Sequence, residues 1–266
     1  VPPELTKKMI QTIRKKSSIG VAFSFEMLPI LHAKGFKDVT LIVQERPKKY
    51  IKNLCTKYGY EVKTIEENED MKFDIIIGNP PYGKNANLAI EFLNRSADHC
   101  DRMIMVLPKT LKKKSAVNRV RDDLHLIDHV DNPDDAFGIE SGLRTCNQTW
   151  VLDKMKKREP EIVRKKSELT DYFEFVDMAS SDIAISRVGR GAAGRVFARE
   201  DCKGQEKNYE DKSPNSHYFV KVKSKSIIKQ LKSLQEEMKA VADDTVSNPS
   251  LSIDDIAELY LEKYAK

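Results

Sequence analysis

The segment Asn79-Pro80-Pro81-Tyr82 places an amide, two prolines and an aromatic ring directly after the apolar run FDIIIG. Each proline fixes its own φ angle and lacks an N–H donor, so the backbone is stiff and its carbonyl groups are free to accept hydrogen bonds. The amide oxygen of Asn79 offers one further acceptor. Rigid acceptors beside an aromatic ring suit a planar group with an exocyclic amine, because the acceptors can take both amine hydrogens while Tyr82 stacks on the ring.

Such an arrangement can make an aromatic amine nucleophilic. Accepting both N–H hydrogens draws the amine nitrogen toward sp³ geometry and frees its lone pair for in-line attack on an electrophile. No strong base is required, because the amine can lose its proton after it becomes cationic, so positioning and electrostatics carry the catalysis. The alternative is a strand-end turn that happens to contain two prolines, but a turn does not require this full set of residues.

Strand and helix patterns alternate through the N-terminal part of the chain and place this motif at a strand end. Apolar runs predict strands at residues 19–25, 39–43, 61–65, 73–78, 103–107, 126–130 and 149–154. Helical spacing predicts helices at 3–15, 26–34, 47–59, 87–98 and 110–124. Strands separated by helix-length connections predict an α/β fold with a doubly wound, mostly parallel sheet covered on both faces. Ligands of such sheets bind beyond the carboxyl ends of the strands, where Asn79 lies.

The pattern changes in the C-terminal part of the chain. A charged segment at residues 154–171 reads as a linker, and the stretches beyond it predict a smaller, β-rich domain: FEFVDM, DIAISRVG, GRVFARE and HYFVKVK. A lysine-rich helix at about 224–241 and a final helix capped by Ser252 close the chain. We therefore expect two domains, at residues 1–155 and 156–266.

Composition favours an anionic partner and excludes several classes of protein. The chain has 266 residues and a net charge of +5, a mild excess that favours nucleic acid as a partner. Basic residues cluster at 109–121, 187–199 and 221–229, and solvated surface is the alternative interpretation of each cluster. No apolar run approaches the roughly 20 residues of a membrane helix, so we expect no membrane partner. The four cysteines stand far apart without a CxxC pair or a nearby histidine cluster. We expect reduced thiols in a cytoplasmic protein, and no metal.

The string FDIIIGNPPYG resembles motif IV of the S-adenosylmethionine-dependent amino-methyltransferases, especially the N6-adenine DNA methyltransferases in which this motif follows the cofactor motifs. Other segments resemble parts of that family in the same order: VPPELTKKM, IGVAFSF, VTLIVQE, EVKTIEE, MIMVLPKTL and DNPDDAFGIESGLRTCNQTWVL. The resemblance covers roughly residues 1–155. It implies a Rossmann-like methyltransferase fold that uses S-adenosyl-L-methionine and no metal.

The resemblance also implies a role for each residue of the motif. Asn79 and the carbonyl group of Pro80 would hold the N6 amine of a flipped-out adenine, with Pro81 completing the rigid pair. Tyr82 would stack on the base. Phe137 is a candidate for the opposite face of the base, and the alternative for Phe137 is an ordinary core aromatic.

Acids after the second and third strands resemble the family's cofactor ligands. Glu45 matches the acid that binds the ribose hydroxyls of the cofactor. Glu66 follows the third strand, where the family has an acid near the cofactor adenine, and Glu67 and Asn68 compete for that role.

The family's glycine-rich loop after the first strand is replaced here by Phe23, Ser24 and Phe25. Either this loop binds the cofactor in a divergent way, with Asn79 bordering the same site, or cofactor binding is weak or lost. The intact Asn-Pro-Pro-Tyr motif favours divergent binding.

The segment ISRVGRGAAGRVFARE resembles the target-recognition regions of restriction–modification enzymes. Its glycines allow the backbone to approach DNA closely, and its arginines can contact phosphates or guanine edges. We therefore predict a site-specific adenine methyltransferase, of restriction–modification or phage type, that acts on duplex DNA by base flipping. The residues predicted to contact DNA are Lys109, Lys112, Lys113, Arg187, Arg190, Arg195 and Arg199.

The sequence leaves three alternatives for the substrate and the activity. The chain could methylate purine amines in RNA, it could methylate glutamine in proteins, or it could be a DNA-binding relative with a degraded cofactor loop. The expected location is the bacterial cytoplasm, or the host cytoplasm for a phage-encoded protein. The sequence does not set the target DNA sequence, the oligomeric state or the presence of a nuclease partner.

Overall fold

The computed structural model describes residues 1–64, 71–138, 142–161, 163–202 and 209–265. These residues form two compact units, Val1–Glu161 and Ile162–Lys266.

The first unit contains seven strands and five helices within the residues described. The strands are β1 (Ile19–Ala22), β2 (Val39–Val43), β3 (Glu61–Thr64), β4 (Ile75–Gly78), β5 (Arg102–Pro108), β6 (Leu124–Asp131) and β7 (Thr145–Leu152). The helices are α1 (Pro3–Ile10), α2 (Leu28–Ala33), α3 (Lys49–Tyr58), α4 (Asn87–Ser96) and α5 (Lys114–Val117).

The seven strands form one sheet in the order β3-β2-β1-β4-β5-β7-β6. Strands β1 to β5 pair in parallel, whereas β7 is antiparallel to both β5 and β6. The prediction of a doubly wound, mostly parallel sheet is confirmed. Strands β1 and β4 are central neighbours, so the ends of these two strands meet at the carboxyl edge of the sheet.

The isoleucine run of β4 is apolar throughout because both faces of the sheet are buried. Ile75 and Ile77 lie in the core that also contains residues of α1 and α2, and Ile76 lies in the opposite core, which contains residues of α4. All three isoleucines are at most 3% exposed. We call these two clusters the α1–α2 core and the α4 core.

Several predicted elements of the first unit have other bounds in the structure. Helix α1 ends at Ile10 rather than at residue 15, and strand β7 begins at Thr145 rather than at residue 149. The first strand ends at Ala22 rather than at residue 25, because Phe23 has a left-handed backbone with φ +53°. The predicted helix at 110–124 is reduced to a 3₁₀ turn at Lys109–Lys112 and the short helix α5, because Lys113 between them has an extended backbone.

The segment that follows β7 packs on the first unit, although the sequence predicted a domain boundary at 155/156. Arg158 donates to the carbonyl groups of Val117 and Val120 at 3.0 and 3.1 Å, and Glu161 N–H donates to Asn118 Oδ1 at 2.7 Å. The two units therefore divide at 161/162.

The second unit contains a four-stranded antiparallel sheet in the order β10-β9-β11-β8. Its elements are β8 (Phe173–Phe175), β9 (Ile183–Ser186), β10 (Val196–Ala198), β11 (His217–Val222), α6 (Lys225–Ser233), α7 (Gln235–Asp243) and α8 (Ile253–Tyr264). The predicted strands are present. The predicted helix at 224–241 is two helices that meet at Leu234, and all three helices pack in one core with the sheet.

The four cysteines, Cys55, Cys100, Cys146 and Cys202, are all buried, and none of them forms a disulfide. Burial raises the pKa of the Cys100 thiol to about 12 and also raises the pKa of Cys55. Across the described ranges, no helix is long and apolar enough to cross a membrane.

Candidate active site

Strand β4 ends against strand β1 in a contact that only glycine allows. Gly78 has φ +152°, and a Cβ atom on it would lie 2.2 Å from the carbonyl oxygen of Ala22. Directly after it, Asn79 N–H donates to Ala22 O at 3.2 Å and to Ser24 Oγ at 3.1 Å. The start of the motif is therefore fixed to the chain that leaves β1.

The side chain of Asn79 carries an acceptor with no protein partner. Asn79 Oδ1 is buried and forms no hydrogen bond to any residue that the structure describes. Leaving a buried polar atom without a partner costs about 1–3 kcal/mol, so this oxygen is suited to receive a donor from a ligand. Pro80 beside it is buried and Pro81 is exposed.

Tyr82 is half-buried and packs against the α4 core. Its hydroxyl is buried and has no hydrogen-bond partner in the described part of the chain. Burial raises the pKa of this phenol, and the nearby Cys146 thiol adds to the shift, so Tyr82 is neutral at physiological pH. The carbonyl oxygen of Tyr82 accepts hydrogen bonds from Leu88 and Ala89 N–H at 3.1 and 3.4 Å, which ties the motif to the start of α4.

The turn between the motif and α4 is held by a residue that the sequence did not single out. Asn85 and Ala86 both have left-handed backbones. Arg119 donates to Asn85 O at 3.1 Å and to the side chain of Asn87. In the sequence, Arg119 stands out only as one member of the basic cluster at 109–121. That pattern does not predict its contact with Asn85 and Asn87.

A cavity of about 120 Å³ opens at the carboxyl ends of β1, β2 and β4. Its lining residues are Phe23, Gln44, Pro81, Leu88, Glu91, Phe92 and Arg95. The ring of Phe23 meets the ring of Phe92 edge-on, with 5.2 Å between centroids. This cavity adjoins the motif through Pro81, in the region where the resemblance places the cofactor.

The predicted cofactor residues differ in how close they lie to this cavity. Phe23 lines it, and Ser24 is buried beside Asn79. Phe25 packs against Tyr50 and the α1–α2 core. Gln44 lines the cavity, and the exposed Glu45 follows it.

The prediction for Glu66 lies outside the described residues, as do its competitors Glu67 and Asn68.

Phe137 and Tyr82 pack on opposite faces of the sheet. Phe137 is half-buried against the α1–α2 core, whereas Tyr82 packs against the α4 core. This arrangement favours the alternative interpretation of Phe137 as a core aromatic. A stacking role for Phe137 stays a prediction.

Lys109 is buried and ion-paired, although the sequence predicted it to contact DNA. Its side chain is 9% exposed, and Nζ lies 3.2 Å from Asp131 and 3.7 Å from Asp134. Lys112 also pairs with Asp131, at 3.4 Å. Burial raises the pKa of Asp131, but the two lysines outweigh burial and lower the pKa overall. Lys109 therefore joins the end of β5 to the end of β6, while Lys113 is half-buried next to it.

The four predicted arginines of the second unit fall into two pairs. Arg187 lies over the ring of Tyr218 at 5.2 Å, and Arg199 lies over the ring of Tyr209 at 4.6 Å, so both guanidinium groups are packed within the unit. Arg190 and Arg195 are exposed in the turn that joins β9 and β10.

The turn that carries Arg190 and Arg195 is packed against α7. Gly194 has φ +87°, and a Cβ atom on it would lie 2.8 Å from the backbone nitrogen of Lys239. The exposed pair of arginines therefore projects from a supported turn rather than from a free loop.

Residues 7–117 match the model of the Eco57I restriction-modification methylase family. The matched segment runs from α1 to α5 and contains the motif at residues 79–82. Over this segment the chain is similar to a restriction-modification methylase. The family model does not identify the base or the nucleic acid on which this chain acts. No curated protein sequence matches the chain.

Several solved structures resemble the chain at low identity. A protein from Streptococcus mutans, assigned as a SAM-dependent methyltransferase, is 11% identical over 56% of this chain and 48% of its own, with a TM-score of 0.42. The ribosomal protein L11 methylase from Lactobacillus delbrueckii subsp. bulgaricus is 14% identical over 56% and 77%, with a TM-score of 0.41.

A Streptococcus pneumoniae protein, assigned as a tRNA (m1A22) methyltransferase and solved with S-adenosyl-L-methionine, is 14% identical over 59% and 75%, with a TM-score of 0.43. At this level of similarity, the substrates of these proteins say nothing about the substrate of this chain.

Proposed function

We propose that the protein is an S-adenosyl-L-methionine-dependent methyltransferase that modifies an exocyclic amine of a base in nucleic acid. The observation that carries this proposal is the buried, unpartnered Oδ1 of Asn79 at the carboxyl end of β4. The family match over residues 7–117 supports the same reaction class. An amine hydrogen of the substrate would supply the hydrogen bond that this oxygen lacks.

The cavity beside Pro81 fits part of the cofactor. Its aromatic wall at Phe23 and its polar rim at Gln44, Glu91 and Arg95 suit a ligand with a planar face and hydroxyl groups. Small-molecule sites have volumes of roughly 300–1,000 Å³, so a cavity of about 120 Å³ holds a portion of such a ligand. When bound, S-adenosyl-L-methionine supplies an electrophilic methyl group.

The chain's own residues orient the amine and shield it. Asn79 Oδ1 and the carbonyl group of Pro80 accept the two amine hydrogens, and this leaves the nitrogen lone pair free for in-line attack. The neutral phenol of Tyr82 introduces no charge next to the amine. Asn79 is an amide and does not act as a base, so the proton leaves the amine after the new bond to carbon has formed.

We propose the N6 amine of adenine in duplex DNA as the substrate group. A duplex adenine must be flipped out to reach Asn79, which costs a few kcal/mol, and contacts from a second unit would help to hold the duplex. The exposed Arg190 and Arg195 are the candidates for those contacts in the second unit. Arg187 and Arg199 would support them from within.

One observation favours a second candidate, a DNA-binding relative without catalysis. Phe23 stands where the resembled family has a glycine-rich loop, and the cavity that it lines has a volume of only about 120 Å³. Calorimetry with S-adenosyl-L-methionine separates the two candidates. A folded sample that binds no cofactor at millimolar concentration would exclude the enzyme.

The proposed activity is tested with S-adenosyl-L-methionine labelled on its methyl group and a mixture of duplex DNA, RNA and protein. We expect label in DNA, on adenine N6, and sequencing of the modified DNA gives the target site. Label confined to RNA or to protein glutamine would support one of those alternatives and contradict the DNA proposal.

The matched variant for this assay is Asn79→Ala. It removes the acceptor without touching a basic residue, so methyl transfer should fall at least about 100-fold while DNA affinity changes little. Full activity of Asn79→Ala would contradict the role of Asn79.

A further inference from the structure

Two serine side chains pin strand β1 to strand β4, one at each end of the pair. At the amino end, Ser18 Oγ accepts a hydrogen bond from Asp74 N–H at 2.9 Å, and Asp74 Oδ2 accepts one from Ser18 N–H at 2.8 Å. At the carboxyl end, Ser24 Oγ accepts a hydrogen bond from Asn79 N–H at 3.1 Å. Of these two contacts, only the one made by Ser24 ends on Asn79, the residue that we propose binds the substrate amine.

Ser24 reaches Asn79 because the chain turns directly after β1. The carbonyl oxygen of Ala22 accepts Asn79 N–H at 3.2 Å, and the left-handed backbone of Phe23 then brings Ser24 Oγ to the same N–H. This conformation is unfavourable for a bulky residue, and such strained residues persist where the surrounding structure holds them. The Phe23 ring packs against Phe92, which supplies that support.

The Ser24 contact is enclosed by protein. Ser24 is 1% exposed, so its hydroxyl oxygen is removed from bulk water. Asn79 N–H is thus shared between two acceptors, and both belong to the chain that leaves β1.

We propose that Ser24 is a positioning residue for Asn79. By fixing the peptide unit between Gly78 and Asn79, Ser24 fixes the direction of the Asn79 side-chain amide and of the Pro80 carbonyl group. Small misplacements of such groups lower reaction rates strongly. This inference rests on the proposed function. It gives the loop at residues 23–25, which replaces the glycine-rich loop of the resembled family, a role that does not require contact with the cofactor.

The test compares Ser24→Ala with Ser18→Ala as its matched control. Each variant removes one serine oxygen that accepts a backbone N–H between the same two strands. Thermal unfolding checks that both variants fold and lose similar stability. Ser24→Thr keeps the hydroxyl and serves as the rescue variant.

A direct structural readout is available because Gly78-Asn79 is the one Gly-Asn pair in the sequence. Labelling with carbonyl-¹³C glycine and ¹⁵N asparagine therefore gives a single amide signal, that of Asn79. Loss of one hydrogen bond should speed hydrogen exchange at this amide by about 2- to 10-fold in Ser24→Ala. The signal should keep its exchange rate in Ser18→Ala.

The kinetic result should separate positioning from cofactor binding. In Ser24→Ala, we expect kcat for methyl transfer to fall by about tenfold or more, while the Kd of S-adenosyl-L-methionine measured by calorimetry stays within about twofold. Ser18→Ala should change neither quantity, and Ser24→Thr should recover most of the lost kcat.

Equal kcat values for Ser24→Ala and Ser18→Ala would overturn the inference. An unchanged hydrogen-exchange rate at the backbone N–H of Asn79 in Ser24→Ala would also overturn it. If the unaltered protein methylates no substrate, the proposed function fails instead. The exchange rate of the Asn79 amide then decides by itself whether Ser24 holds this peptide.

Discussion

Gly78 shows how one missing atom sets the position of the whole motif. Without a Cβ, the end of β4 lies against the carbonyl oxygen of Ala22, and Asn79 N–H then reaches both Ala22 O and Ser24 Oγ. The glycine before the Asn-Pro-Pro-Tyr string is therefore part of the geometry that aims Asn79, although it carries no reactive group.

Gly78→Ala should destabilise the first unit by about 1–3 kcal/mol, because the added methyl group would sit 2.2 Å from a backbone oxygen. The control is Gly35→Ala, which is also at positive φ but has nothing within 4 Å of its Cβ position. Urea unfolding measures both. If Gly35→Ala costs as much as Gly78→Ala, backbone conformation rather than the approach to Ala22 explains the effect.

At the residue scale, the sequence predicted the motif but not what holds it. Asn79 and its prolines are adjacent in the chain, so their chemistry can be read directly. The bond between Ser24 and Asn79 joins residues 55 positions apart. The left-handed backbone of Phe23 is equally hidden, because the pattern around an aromatic residue predicts a continuing strand.

At the scale of elements, apolar runs located the central strands β1, β2, β4 and β5, because strands that are buried on both faces are apolar throughout. Strand β7 begins at Thr145, earlier than the predicted residue 149, since its polar first residues pair with β5 and β6. The helix predicted at 110–124 is interrupted in the structure, because the chain is extended at Lys113.

The final helix offers a test of an element that the sequence predicted correctly. Ser252 Oγ accepts from Asp255 N–H at 3.0 Å, and Asp255 Oδ2 accepts from Ser252 N–H at 2.8 Å, which is a capping box at the start of α8. Ser252→Ala should cost about 1 kcal/mol of stability.

The control for this cap is Ser224→Ala at the start of α6, where the serine makes no side-chain cap hydrogen bond. Its cost should stay below about 0.5 kcal/mol. Thermal unfolding of both variants gives the comparison. Equal losses would mean that the capping box adds nothing to α8.

At the scale of the whole molecule, the positive charge is not spread evenly. Residues 162–266 contain 18 basic and 18 acidic side chains, so the net charge of +5 belongs to the first unit. A neutral second unit has no general attraction for phosphates. DNA contacts by this unit would depend on where its individual cations lie, and Arg190 and Arg195 are the exposed pair in the turn between β9 and β10.

Replacing Arg190 and Arg195 together by glutamine should weaken DNA binding and reduce the slope of log K against log salt by about 2, because each phosphate contact contributes about 0.9. Lys7→Gln with Lys8→Gln is the charge-matched control, on the exposed side of α1. Affinity at several salt concentrations gives the slopes. Equal losses in both double variants would indicate attraction by overall charge rather than contacts from the turn.

The four buried cysteines make the protein a reporter of its own opening. Three of them lie in the first unit and Cys202 lies in the second, and a thiol with a pKa raised to about 12, as at Cys100, is almost never a thiolate near neutral pH. A thiol reagent can therefore attack only molecules in which a core has come apart. The rate at which free thiols are lost therefore measures the rate of unfolding. The rate at Cys202 reports on the second unit, and the rates at the other three cysteines report on the first.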